Sequence, residues 1–327
     1  MAAFDLPGDD IADPGMLKIV LATRAALATR RPFYELTPLE FRAQLAADRA
    51  RAAVTLADLP RVEDLQIPCG PGLSMPARLY SATPRAEGQP LFLYLHGGGW
   101  SAGSIETHDH VARQLALVTA AAVVSLDYPL LPEQPFPAAP TQCAALVQWL
   151  AANGGSLGLD GSRIAMGGDS AGANISAATA VALRDAGVNA LSLVIPVYGA
   201  FAPDLDEESH RTNGDGRWGL QTASVYFYWQ HYVGSDPATR RHPLAAPLHA
   251  DLRGLPPMLV IAGGLDAIRD ESRLFAAALA RAGQEVHYKE YPGLTHSFLH
   301  YYATVKPAAE CIRLIGRAVD ARLRGGP

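Results

Sequence analysis

Two stretches of the chain read G-x-S-x-G: Gly154-Gly155-Ser156-Leu157-Gly158 and Gly168-Asp169-Ser170-Ala171-Gly172. The pattern makes a nucleophile only as strand, sharp turn and helix, where the turn pushes the serine Oγ out at the top of a sheet. The first copy lies in a Gly/Asn loop ahead of a strand, so its context is that of a loop. The second follows the strand-like run RIAMGG and opens the helix-like run AGANISAATAVAL. Ser170 then stands at a helix N-terminus, where backbone N–H groups and the helix dipole favour developing negative charge. The bland alternative is a serine that only caps the helix. Upstream, His96-Gly97-Gly98-Gly99-Trp100 follows the apolar run LFLYL. Consecutive glycines cost chain entropy, so they serve a special backbone geometry or else a flexible turn. Turned toward Ser170, the amides of Gly97, Gly98 and Gly99 would join that of Ala171 to hold a tetrahedral oxyanion. His96 is expected to brace this loop.

These groups need elements to position them. Residues 16–30 and about 37–55 read as helices and precede any strand. From residue 62 the texture alternates. Strands are expected at 62–67, 77–80, 91–95, 122–126, 163–167, 191–197, 258–262 and 286–291. Helices are expected at 108–120, 138–153, 171–186, 222–232, 271–282 and 308–324. Runs such as LFLYL, LSLVIPV and MLVIAG are apolar throughout, as strands buried on both faces are. Strands alternating with helices imply a mostly parallel sheet covered on both sides. Ligands of such sheets sit beyond the carboxyl ends of the strands, where both glycine motifs fall. Residues 200–219 are polar and Gly-rich, and read as an insertion followed by an aromatic helix.

In order and spacing, HGGGW and GDSAGAN resemble the hormone-sensitive-lipase-like family of α/β-hydrolase esterases, from about residue 60 to the C-terminus. The segment DYPLLPEQPFPAA (127–139) is similar to that family's DYRLAPE-type segment. The resemblance implies an α/β-hydrolase fold: an eight-stranded, mostly parallel sheet with helices on both faces and a helical cap. It makes residues 1–55 N-terminal helices that form part of the cap. Residues 56–327 become the catalytic domain, with a cap insertion at about 200–232. It also implies no cofactor and no metal.

Triad order in this fold is serine, acid, histidine. MLVIAGGLDAIRDES puts Asp266 in the loop beyond a late strand, where it matches the acid of the family's AGxDPLRDE segment. Asp270 and Glu271 are rivals on spacing alone, at a helix start that favours acids anyway. Of His287, His296 and His300, the first lies inside a strand and the last one turn beyond His296. His296, in GLTHSF, resembles the family's G-x-x-H-G-F. The expected catalytic set is Ser170, Asp266 and His296. Pro129, Ala173, Ala267 and Ser297 depart from the family pattern without deleting a catalytic group. His108 and His110 read as surface or capping residues. H-x-H can bind metal, but the sequence offers no third ligand nearby.

The 327 residues are 49% hydrophobic and 18% charged, which excludes a mostly disordered chain. A net charge of −5 gives no global attraction for nucleic acid or anionic lipid. Of the 27 basic residues all but Lys18, Lys289 and Lys306 are arginine, a bias typical of GC-rich bacterial genomes. Cys69, Cys143 and Cys311 form no CxxC pair, which fits a reducing compartment. The acidic start of the chain lacks the basic region of a secretory signal, and residues 1–15 read as a loose leader. A cytoplasmic location is expected, without stable membrane association.

Substrate identity is less legible. Trp100, Asp169, Tyr198, Trp218 and Phe298 are expected around the pocket, with Phe201, Tyr226 and Trp229 as further aromatic candidates. Core or cap packing is at least as good a reading of the aromatics. The resemblance implies a serine carboxylesterase for short-to-medium acyl esters. The same triad would serve a lactone or aryl-formamide hydrolase. A non-catalytic ligand-binding module is the third class. The partner expected is a small-molecule ester, and the family allows a homodimer, for which the sequence shows no interface signature.

Overall fold

The structure, a computed structural model, describes residues 13–51, 54–84 and 87–324. Most of the leader expected at 1–15 lies outside the described residues. Eight strands form one sheet in the order β1-β2-β4-β3-β5-β6-β7-β8. They are β1 (Arg61–Gly70), β2 (Leu73–Ser81), β3 (Gln89–Leu95), β4 (Ala122–Leu126), β5 (Leu159–Asp169), β6 (Leu191–Val197), β7 (Met258–Leu265) and β8 (Val286–Thr295). β2 pairs antiparallel with β1 and β4, and the remaining pairings are parallel. All five residues of β4 are buried, and so are Leu91 to Leu95 of β3, as their unbroken apolar runs require.

The helices are α1 (Pro14–Leu27), α2 (Pro38–Arg51), α3 (Ile105–Val118), α4 (Ala138–Asn153), α5 (Ala171–Asp185), α6 (Glu208–Asn213), α7 (Thr222–Val233), α8 (Pro237–Arg240), α9 (Arg269–Arg281) and α10 (Lys306–Arg324). One apolar cluster joins α4, α5 and α9 to the sheet through Leu146, Ile175 and Phe275. A second joins α1, α3 and α10 through Val20, Leu115 and Ile312. The sheet is thus sandwiched, and its carboxyl edge is where loops accumulate.

The chain between β6 and β7 runs from 198 to 257, longer than the 200–232 insertion expected, and carries α6, α7 and α8. α2 docks beside it. Phe41 of α2 packs on Tyr228 of α7 with ring centres 5.2 Å apart. Arg42 donates to the carbonyls of Ser101 (3.0 Å) and Leu131 (2.7 Å) and pairs with Glu133. No helix among the described residues is long and apolar enough to cross a membrane.

Candidate active site

Ser170 stands between β5 and α5 with φ 54° and ψ −117°, a left-handed turn no ordinary helix cap needs. The turn can be this tight because glycines flank it. A Cβ on Gly168 or Gly172 would lie 2.3 or 2.1 Å from the carbonyl oxygen of Leu95. Their absence lets α5 begin directly against β3. The other G-x-S-x-G serine, Ser156, sits on a short 3-10 turn before β5, and its hydroxyl donates to the Asn153 carbonyl at 2.8 Å.

His296 follows β8 and bridges two partners. Its Nε2 is 3.0 Å from Ser170 Oγ and its Nδ1 2.7 Å from Asp266 Oδ2. The other Asp266 oxygen accepts from the Ile268 amide at 3.1 Å. Asp266 is buried, so its charge faces the imidazole with little water between. The rivals are engaged elsewhere. Asp270 accepts from the Ser209 amide and from Arg269 and Arg273. Glu271 accepts from the amides of Phe201 (2.6 Å) and Ala202 (3.1 Å). Burial pushes its carboxyl up to about 7, against His210 and those amides. His287 lies in β8, on the edge of the sheet.

The glycine loop lies beside Ser170. No hydrogen bond among the described residues uses the amides of Gly98, Gly99 or Ala171. Gly97 differs from the expectation: its amide donates to Asp169 Oδ1 at 2.9 Å and so is not free to hold an oxyanion. Gly98 (φ 135°) and Gly99 (φ 56°) adopt backbone conformations open chiefly to glycine. His96 braces the loop as expected. It is buried, stacks on Tyr128 at 4.4 Å, and its Nδ1 lies 2.9 Å from the Gly97 carbonyl. Burial lowers its pKa to about 3, so it stays neutral.

Asp169 is not a pocket residue. It is buried behind the serine, where Tyr94 OH (2.7 Å) and the Gly97 amide both donate to its Oδ1. Tyr198 OH lies 3.4 Å from Oδ2, and His108 Nε2 3.7 Å from Oδ1. Burial alone would raise its pKa, but His108, Tyr94 and His96 outweigh that and hold it at about 2. The carboxylate fixes the glycine loop relative to the nucleophile. His108 is therefore buried rather than superficial, and its Nδ1 pairs with Thr107 Oγ1 at 2.8 Å. His300 also turns inward, with its Nδ1 3.2 Å from His110 Nε2. Ligand atoms of His108, Asp169 and His300 lie within 4.8 Å of one another, a group that contains only one histidine of the H-x-H pair. Asp169 Oδ1 already accepts from Tyr94 and Gly97, and His300 pairs with His110.

A narrow apolar pocket opens at Ser170 and His296. Trp100, Leu220, Val225, Tyr228, Trp229 and Ile268 line it, with Gly99, Ala171 and Ala200. Trp100 was expected there; three of the other expected aromatics are not. Tyr198 lies under the His296 ring at 4.9 Å, and Phe298 packs on Tyr198 at 5.0 Å. Trp218 is buried in the apolar cluster that holds α1. All three are drawn into the core by their size. Phe201 likewise stacks on Phe275 at 4.2 Å, while Tyr226 is exposed. Tyr228 was missed. The helical period could have found it: 225, 228, 229 and 232 share one face of α7, and 226 points away. Asn174 was also missed. Its Oδ1 accepts from Trp100 Nε1 (3.2 Å), and its Nδ2 donates to the carbonyls of Ala200 (2.7 Å) and Ala245 (2.8 Å).

A family profile described as alpha/beta hydrolase fold matches residues 92–300, which span both glycine motifs and the acid and histidine loops. The chain belongs to the α/β-hydrolase family of esterases. This esterase is 34% identical over 297 residues to the carboxylesterase NlhH of Mycobacterium tuberculosis, covering 88% of this chain and 92% of that one. It is 38% identical over 226 residues to an acetyl-hydrolase of Streptomyces hygroscopicus, covering 68% and 72%. Among solved structures it superimposes on a thermostable esterase from Pseudomonas putida ECU1011 with a TM-score of 0.90 and 28% identity, over 96% of this chain and 98% of that one.

Proposed function

We propose that this esterase is a serine carboxylesterase for small esters with short-to-medium acyl groups. Ser170 is the nucleophile, His296 the general base and Asp266 the acid that orients it. The reading rests on one observation above all: a single imidazole spans Ser170 Oγ and the buried Asp266 carboxylate at the mouth of an apolar cavity. His296 Nε2 takes the Ser170 proton as Oγ attacks the ester carbonyl. The Asp266 carboxylate stabilises the imidazolium so formed. The amides of Gly98, Gly99 and Ala171 receive the oxyanion, and the cavity walls take the acyl chain. His296 then returns the proton to the departing alcohol. The acyl-enzyme is hydrolysed by the same steps with water as nucleophile.

A narrow apolar pocket walled by Trp100 and Trp229 supports acyl chains of a few carbons. The relatives, a carboxylesterase and an acetyl-hydrolase, support the same range. Cys69, Cys143 and Cys311 are free and buried, which fits the reducing cytoplasm. The test is a series of p-nitrophenyl esters from acetate to palmitate, with Ser170→Ala alongside. Rates that peak at short chains and fall about 10⁴-fold or more in the variant are expected. Wild-type activity that survives in Ser170→Ala overturns the assignment.

A further inference from the structure

We infer that Asn213 and Ser209, both on α6, are positioning residues for the acid of the triad. Three backbone carbonyls near Asp266 need partners. β7 pairs with β8 through Gly263, and the register then shifts before Leu265. The strand bulges at Gly264 and leaves the ladder after Leu265, so the carbonyls of Gly264, Asp266 and Ala267 must find donors outside it. Asn213 supplies two: its Nδ2 donates to the carbonyls of Gly264 and Asp266, each at 3.2 Å. Ser209 Oγ donates to the carbonyl of Ala267 at 2.8 Å. The Ser209 amide donates to Asp270 Oδ2 at 2.9 Å, and the Asp270 amide lies 3.2 Å from Ser209 Oγ. Both side chains are buried, so no water replaces either bond freely. Arg269 also reaches the Gly264 and Asp266 carbonyls, but from within the loop itself. Besides the bond to His296 and the pairing of Leu265 with Thr295, α6 ties the loop to a separate element.

The tie has a chemical purpose. Asp266 Oδ2 meets His296 Nδ1 at 2.7 Å, and a bond that short is sensitive to where its loop sits. A displacement of about 1 Å at a catalytic group costs on the order of 10² in rate. The same helix leads to the acyl cavity. Thr222 at the start of α7 donates its hydroxyl to the His210 carbonyl, and His210 Nδ1 lies 3.1 Å from that hydroxyl. The polar 200–219 segment thus joins the acid loop to the helix that carries Tyr228 and Trp229.

The inference rests on the Ser170–His296–Asp266 reading, so Ser170→Ala and Asp266→Asn are measured beside Asn213→Ala, Ser209→Ala and Ser209→Thr. In the variants that keep Ser170, active sites are counted by stoichiometric phosphonylation, so that unfolded protein does not enter kcat, and Ser170→Ala is compared per mole of folded protein. Asn213→Ala and Ser209→Ala are expected to lower kcat per titrated site by about 10- to 100-fold, with KM within about threefold. The acid limb of their pH–kcat profiles moves to lower pH, because a misplaced Asp266 stabilises the imidazolium less. Ser209→Thr keeps the hydroxyl and restores both. A lower melting temperature with wild-type kcat per site and an unmoved pH profile overturns the inference. If Asn213→Ala does not fold, the Ser209 pair alone decides it. Full activity in Asp266→Asn or Ser170→Ala overturns the underlying triad instead.

Discussion

Replacing Gly98 by alanine tests whether the glycine loop is an oxyanion hole or only a turn. A Cβ built on Gly98 lies 2.1 Å from the carbonyl oxygen of Ala102 and 2.5 Å from its carbon. Carbon–oxygen contacts settle at about 3.3–3.6 Å, so one side must move by about 1 Å. Ala102 is buried, and its amide donates back to the Gly98 carbonyl at 2.9 Å, so the loop itself has to shift. The φ of 135° adds strain for any residue with a Cβ. A shift of that size takes the Gly98 and Gly99 amides off the developing oxyanion. Loss of one such donor costs about 10²–10³ in kcat. We therefore expect Gly98→Ala to lose about that much kcat per titrated site on p-nitrophenyl acetate, with KM nearly unchanged. The control is Gly187→Ala, at φ 70° with nothing within 4 Å of its Cβ, just past the end of α5 opposite to Ser170. It suffers only backbone strain of about 1–2 kcal/mol, read in the melting temperature. Gly98→Ala within threefold of wild-type kcat refutes the oxyanion assignment.

Tyr228→Ala should widen the acyl cavity where the ring now lies against Gly99 and Phe41. The octanoate-to-butyrate ratio of kcat/KM is expected to rise about tenfold or more, and an unchanged ratio moves the acyl chain elsewhere. Glu271 gives a pH dependence. Its carboxyl sits at about 7 when folded against an ordinary 4.5, so the folded state holds the proton more tightly. Its contribution is full below about pH 4.5 and is lost as pH rises through 7, a swing of about 3 kcal/mol. Glu271→Gln keeps an acceptor for the Phe201 and Ala202 amides and offers a donor to the unpartnered His210 Nε2. Melting temperatures between pH 5 and 8 should fall for the wild type and stay flatter for the variant; parallel curves count against it.

The eight strands and the six long helices from α3 onward, α6 and α8 aside, were legible because each carries its own period or an unbroken apolar run. α6 and α8 were not. Six and four residues give no readable period, and ESHRTN has the polar composition of a loop. Ser170, Asp266 and His296, which the fold brings within hydrogen-bond reach of one another, were legible because each sits just after a strand that announces itself. The surroundings of Asp169 were not. Its neighbours Tyr94, Gly97 and His108 come from two other segments, and nothing local to GDSAG says which way the carboxylate turns. Tyr198, Trp218 and Phe298 were misplaced for a related reason, while Trp100 and Trp229 do line the pocket: sequence tells that a ring is apolar, not which of two apolar places it fills.

Asn174 carries a consequence for anyone who would rebuild this enzyme by parts. One amide side chain joins the Trp100 indole to the carbonyls of Ala200 and Ala245. Those three segments are separated by about a hundred and forty residues of chain, yet they share one set of hydrogen bonds. A loop grafted from another hydrolase at 96–103, or a shortened connection between β6 and β7, would meet an amide shaped for different neighbours. Such transplants should succeed only when exchanged together, and libraries that vary the three segments independently should be dominated by insoluble or inactive clones.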